Sequence, residues 1–90
     1  MEYREQIPIY QCEKRNVIVF TLEEVKKDSQ EIEPFETCFI FSREHGLFWG
    51  PKSSGYTKYV NKAGRYKVQE AIKNTHHCGP EKGIEYWFIQ

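Results

Sequence analysis

The stretch Phe35-Glu-Thr-Cys-Phe-Ile-Phe-Ser-Arg-Glu-His-Gly-Leu-Phe-Trp49 decides the fold. Side chains alternate across a strand, so Phe35, Thr37, Phe39 and Phe41 share one face, with Cys38 and Ile40 on the other. Apolar groups on both faces predict that Phe35–Ser42 is a central strand. Arg43-Glu-His-Gly46 reads as a turn, with Gly46 suited to a positive φ. Leu47-Phe-Trp49 returns as the partner strand, and Gly50-Pro51 stops it. A hairpin over 35–49 is therefore the first fixed piece.

Downstream, Lys52-Ser-Ser-Gly-Tyr-Thr57 is loop by composition, Tyr59-Val60 reads as one more short strand, and 61–65 reads as a turn with Gly64 at a positive φ. Val68, Ala71, Ile72 and Thr75 recur at i, i+3, i+4 and i+7, which predicts an amphipathic helix of about ten residues. Gly79 ends it and Pro80 forbids its restart. Ile84-Glu-Tyr-Trp-Phe-Ile89 is a terminal strand expected to dock on the hairpin. Upstream, Ile7-Pro-Ile-Tyr-Gln11 reads as an edge strand, the only kind Pro8 tolerates. Val17-Ile-Val-Phe20 reads as a strand or as the lead-in to a helix. Thr21-Leu-Glu-Glu24 has the spacing of a capping box and predicts a helix from Leu22 to about Gln30. Strands in hairpins without alternating βαβ units make this an α+β domain. The expectation is a small antiparallel sheet of three to five strands with one or two helices packed on one face.

Ninety residues allow one small domain, 1–90. An aromatic share of 16% suits a small core, since each ring buries about 150–250 Å². The net charge is zero, which excludes non-specific attraction of the whole chain to nucleic acid. The charge is unevenly spread, however. Residues 1–46 hold six Lys/Arg against ten Asp/Glu, and residues 47–90 hold seven against three. Either the halves neutralise each other across the fold, or the second half carries a local basic patch. Cys12, Cys38 and Cys78 are odd in number and widely spaced. With no apolar run after Met1, they read as free thiols in a reducing, cytoplasmic setting. No run approaches the ~20 apolar residues of a membrane span.

The stretch Leu47 to Tyr66 is the most unusual. It interleaves Trp49, Tyr56, Tyr59 and Tyr66 with Lys52, Lys58, Lys62 and Arg65, and carries no acidic residue. Rings beside cations can stack bases while neutralising phosphates, and they are equally the anchors favoured at protein interfaces. The candidate binding residues are His45, Trp49, Tyr56, Thr57, Lys58, Arg65 and Tyr66. Tyr56, after Gly55 in a polar loop, is expected to be partly exposed. Trp49, at the end of an apolar strand, is open between core and surface, with core the favoured reading. Tyr66 is open between core and surface. His76-His77-Cys78 and Glu44-His45 are the other chemistry-bearing clusters. The first lacks the second ligand pair of a zinc site and falls at a helix C-terminus, which disfavours a thiolate. The second sits on a turn tip, where neighbours in sequence need not share acid–base geometry. No catalytic residue, metal or cofactor is expected.

Four short pieces carry a family resemblance: Ser42-Arg-Glu-His-Gly46, Phe48-Trp-Gly-Pro51, Gly55-Tyr-Thr57 and Ala63-Gly-Arg-Tyr66, followed by Glu70-Ala71. In order and spacing they resemble a segment of small phage- and prophage-encoded proteins, over residues 38–73. Such proteins often have Trp where Phe48 stands, and Ser or Thr as the helix cap where Lys67 stands. The resemblance implies a mobile-element accessory protein and implies no particular reaction.

These readings predict a non-enzymatic binding module that acts on a host protein as an anti-defence or host-takeover inhibitor, through the loop 50–67. Binding of single-stranded nucleic acid or a nucleotide by the same segment is the alternative. A small enzyme using His45 and Glu44, or His76, His77 and Cys78, is the third. The chain is expected as a monomer or a strand-paired homodimer, away from membranes.

Overall fold

The computed structural model describes residues 17–32 and 34–89. The edge strand expected at Ile7–Gln11 lies outside the described residues.

Among the described residues the fold has six strands and two α-helices: β1 Val17–Thr21, α1 Leu22–Lys27, β2 Thr37–Ser42, β3 Leu47–Trp49, β4 Tyr56–Thr57, β5 Tyr66–Lys67, α2 Val68–Thr75 and β6 Ile84–Ile89. The sheet runs β1-β6-β2-β3-β4, with β5 pairing to β2, and every pair is antiparallel. The α+β class and the antiparallel sheet are as the sequence reads. The sixth strand is the two-residue β5, which pairs Thr37 with Lys67 and Cys38 with Tyr66.

The terminal strand lies inside the sheet. β6 pairs with β1 from Val17↔Ile89 to Thr21↔Glu85, and with β2 from Phe39↔Trp87 to Ser42↔Ile84. Its alternation feeds two cores. Ile84, Tyr86 and Phe88 join Cys38, Ile40, Tyr66 and the inner sides of both helices. Trp87 joins Phe39, Phe41, Phe48 and Val60 on the opposite face. There the rings of Phe41, Phe48 and Trp87 meet pairwise at 5.1, 5.3 and 5.4 Å between centroids. Glu85 is buried on that same face, its carboxylate accepting from Trp87 Nε1 at 2.9 Å and standing 3.8 Å from Arg43 Nε. Phe35 does not follow its expected face. The strand begins only at Thr37, and Phe35 stacks on Phe88 at 4.2 Å in the helix-side core.

Both helices start as their sequences dictate. The Thr21 hydroxyl accepts from the Glu24 amide at 3.1 Å, and the Glu24 carboxylate accepts from the Thr21 amide at 2.8 Å, which completes the capping box. α1 stops at Lys27, short of Gln30, because Asp28 is extended (φ −154°) and its carboxylate caps a separate 3₁₀ turn at Ser29–Glu31. α2 is eight residues long, and the residue that precedes it at the N-cap, Lys67, offers no side-chain cap. The Thr75 hydroxyl donates back to the Ala71 carbonyl at 2.8 Å and lies 2.5 Å from the Tyr86 hydroxyl, which ties α2 to β6 inside the core.

Two turn expectations are corrected. The strand expected at Tyr59-Val60 instead forms at Tyr56–Thr57, and Val60 opens a 3₁₀ turn that carries its side chain into the aromatic core. Gly64 does not have a positive φ. It is a close-approach site, where a Cβ would meet Gly50 O and Pro51 Cα at 2.8 Å. α2 ends at Thr75, before Gly79, which is extended (φ −90°), and the left-handed glycine of that region is Gly83 (φ 60°).

Thr75→Val keeps the side-chain shape but strips the hydroxyl that Tyr86 uses. It is expected to cost roughly 1–3 kcal/mol in urea unfolding. In a Tyr86→Phe background the cost should shrink, because no buried phenol then lacks a partner; equal costs would deny the coupling. Burial holds the Tyr86 phenol at about 12 against 10.0, with the Thr75 hydrogen bond opposing, and the Cys38 thiol at about 12 against 9.0. Both groups hold their protons more tightly when folded. Their stabilisation is complete below about pH 9 and is lost as pH rises toward 12. Urea midpoints should fall between about pH 9 and pH 12, and Tyr86→Phe should flatten that fall.

Candidate binding surface and pocket

The segment from Gly50 to Lys67 leaves the sheet and returns to it under tight backbone control. The Gly50 amide donates to the Gly55 carbonyl at 2.9 Å, and the Gly64 amide to the Trp49 carbonyl at 3.0 Å. Between these ties, Lys52 and Ser53 both take left-handed backbone (φ 57° and 58°). Non-glycine residues hold that conformation at about 1–2 kcal/mol each, and only where surroundings enforce it. The enforcing group is Tyr66. Its ring is buried in the helix-side core, and its hydroxyl donates to the Gly50 carbonyl and accepts from the Ser53 amide at 2.8 Å. Tyr66 therefore leaves the set of contact residues: it holds the loop from inside.

The remaining candidates do not form one patch. Tyr59 is 39% exposed, with the Lys58 and Lys62 ammonium groups each 5.6 Å from its ring centroid. Tyr56 is 49% exposed and packs against the His45 ring at 4.5 Å. Arg65 lies over the Phe39 ring at 4.8 Å and reaches Thr37 Oγ1 at 3.5 Å, so its charge covers the aromatic core. Thr57 pairs with Phe48 and accepts from the Tyr59 amide at 3.2 Å, which fixes the bend between the two tyrosines.

Trp49 is half-buried against the helix-side core, as its place in an apolar strand implies. Its indole Nε1 is buried and has no hydrogen-bond partner among the described residues. An unpaired buried donor costs roughly 1–3 kcal/mol, so this nitrogen is a local defect of the fold.

Sequence reasoning kept Glu44-His45 apart from His76-His77-Cys78. The fold brings members of both around one pocket of 170 Å³, lined by Ser42, Glu44, His45, Trp49, Tyr56, His77, Cys78, Lys82 and Ile84. His76 is not in its lining. The clusters meet because the 3₁₀ turn Pro80–Lys82 docks on the hairpin tip: the Arg43 amide donates to Gly83 O at 2.9 Å and the Glu44 amide to Lys82 O at 3.4 Å. Lys82 was missed from sequence, since nothing local marks a lysine after Pro80 as a neighbour of Glu44. In the pocket, Glu44 Oε1 stands 3.6 Å from His45 Nε2 and 3.7 Å from Lys82 Nζ. Cys78 Sγ lies 3.8 Å from His77 Nε2. Burial pushes the Cys78 thiol up, against the opposing pull of Lys82 and Lys26, so it rests as a neutral thiol rather than a nucleophilic thiolate. Among the described residues, no group of three or more His, Cys, Asp or Glu side chains is placed to hold a metal ion. A wider depression of 880 Å³ runs between Phe35–Thr37 and Lys67–Ile72, and its charged lining, Glu36, Lys67 and Glu70, is of mixed sign.

Tyr66→Phe should release the loop and lower stability by roughly 1–3 kcal/mol, which for a domain this small is a fall of several degrees in Tm. Tyr59→Phe, which removes an exposed hydroxyl, should leave the midpoint unchanged. A Tyr66→Phe midpoint equal to wild type would show that the hydroxyl does not hold the loop.

No family model, no curated protein and no solved structure matches this chain.

Proposed function

We propose that this protein is a non-enzymatic binding module that presents residues 56–62 to a partner protein. One observation carries the reading. Of the three large hydrophobic side chains left exposed among the described residues, two are Tyr56 and Tyr59, on one tied-down segment with no acidic residue. Tyrosines are favoured interface anchors because they offer a large amphipathic area at low entropy cost. The ties at Gly50, Ser53 and Gly64 reduce the ordering that binding would otherwise demand. The neutral Cys78 thiol fits a binding role better than a catalytic one. The resemblance to small phage and prophage proteins favours an infected or lysogenic cell as the setting of such a module. Its partner would there be a host factor, and the outcome inhibition of defence or takeover of a host process. That step rests on the resemblance alone.

Single-stranded nucleic acid is the second reading, favoured by the flanking of the Tyr59 ring by Lys58 and Lys62.

The test is capture from bacterial lysate, with and without nuclease, by wild type and by Tyr59→Ala combined with Tyr56→Ala. A protein anchored on these rings should survive nuclease. It should lose binding by about 30-fold or more in the double variant, whose thermal midpoint stays close to wild type. Arg65 is left intact in this test because its guanidinium belongs to the Phe39 core. Loss of capture on nuclease treatment, with affinity for labelled single strands falling by about 0.7 log units per log unit of salt for each lysine engaged, would select the nucleic-acid reading.

A further inference from the structure

The two ends of the sheet are unlike. At one end β4 is two residues long and is followed by Lys58. At the other, β1 reads Val-Ile-Val-Phe-Thr without charge, proline or glycine, and Ile18 is 38% exposed. Edge strands are ordinarily blunted by shortness, charge, proline or a bulge, because their free amides and carbonyls recruit another strand. We infer that β1 pairs with β1 of a second copy of this chain, antiparallel, about a two-fold axis at Ile18.

The hydrogen-bond phase of the sheet fixes which groups are available. The Arg43 amide donates to Gly83 O, two residues beyond the register pair Phe41↔Glu85. Bonded pairs recur at every second residue of an antiparallel ladder. Glu85 and Trp87 therefore turn their amides and carbonyls toward β2. Tyr86 and Phe88 turn theirs toward β1, where they meet Phe20 and Ile18. Val17, Val19 and Thr21 are left directing theirs outward. The Thr21 amide is held by the Glu24 carboxylate, and as N-cap its carbonyl accepts the first bond of α1. The open edge is thus the amides and carbonyls of Val17 and Val19, and no described strand pairs with them.

These constraints choose both the occupant and the register. The open segment, Val-Ile-Val, reads the same in both directions. With the axis at Ile18, Val17 of one copy faces Val19 of the other, and the reverse, as a two-fold interface requires. Each of these pairs exchanges both backbone bonds, so every open group on both copies is satisfied. Ile18 meets its counterpart in the closer, non-bonded pair between them, and the Phe20 ring reaches it diagonally. An axis at Val19 would instead set Val17 against Thr21, whose backbone groups are already committed. The faces also match. Phe20 packs on the helix-side core, 5.9 Å from the Phe88 ring, while Val17 and Val19 pack on the aromatic core, so both cores continue across the join and no charge of β1 is buried. Because β1 and β4 close opposite ends of the sheet order, residues 56–62 of both copies stay open.

The experiment is sedimentation equilibrium of the full chain, from micromolar to about 1 mM, paired with amide hydrogen exchange at both ends of that range. An interface this small is expected to dissociate in roughly the 10–100 μM range. Ile18→Lys and Ile18→Glu, each alone, should weaken the dimer about tenfold or more, because like charges then face each other across the axis. An equimolar mixture of the two variants should associate several-fold more tightly than either alone. In the wild type, the Val17 and Val19 amides should exchange freely when dilute and gain protection as the dimer forms, with Ile18 and Phe20 protected throughout. A chain still monomeric at about 1 mM, a dimer indifferent to Ile18→Lys, or a mixture no tighter than its components would each overturn the pairing. So would Val17 and Val19 amides already protected in the monomer, which would show the edge covered by its own chain.

Discussion

The pairing of β6 with β2 governs the rest of the structure. These two strands lie side by side over Phe39↔Trp87 to Ser42↔Ile84, and β6 is buried on both faces. A strand that is apolar on both sides needs two covers. α1 and α2 supply one, over Ile40, Ile84, Tyr86 and Phe88. For the other face the chain uses the excursion between β4 and β5, which sets Val60 and Ala63 against Phe39, Phe41, Phe48 and Trp87. The loop is thus a working part of the core, and that explains why it can be both polar in composition and fixed in shape.

That double duty divides its side chains. Those that turn inward, Val60, Ala63 and Tyr66, anchor it, and Arg65 closes the aromatic core as a cation over Phe39. Those left outside include Tyr56, Lys58, Tyr59 and Lys62. A surface held from beneath binds with less ordering cost than a free loop of the same sequence, since fewer rotatable bonds are frozen on contact. The left-handed Lys52 and Ser53 fit the same logic: their strain persists because Tyr66 and the Gly50–Gly55 tie leave the backbone no easier route.

Local chemistry was readable from the sequence wherever a short pattern had one physical outcome. The alternation in 35–49 gave the hairpin, Thr21 and Glu24 gave the capping box, and the spacing of Val68, Ala71, Ile72 and Thr75 gave the second helix. Errors came where tertiary contacts set the outcome. Gly64 was read as a turn glycine, but it is there because Gly50 and Pro51 pass too close for a Cβ. Tyr59-Val60 has strand-forming residues, yet covering the aromatic core required a turn there. At the candidate site, the exposure of Tyr56 was readable from its polar loop. The single basic and aromatic patch that the composition of 47–66 suggests does not form, because Arg65 covers Phe39 and Tyr66 turns into the core, contacts set across the sheet. The pocket was out of reach altogether: Glu44 lies far from His77 and Lys82 in the chain and meets them only when the Pro80–Lys82 turn docks on the hairpin.

The central claim is that residues 50–64 are held by the core as a preformed surface. Native-state amide hydrogen exchange tests it most directly, since each tie is a backbone N–H. The Gly50, Ser53 and Gly64 amides should be protected as part of the same cooperative unit as those of β2 and β6. Exchange at those three positions as fast as in an unstructured peptide, while β2 and β6 stay protected, would contradict the account.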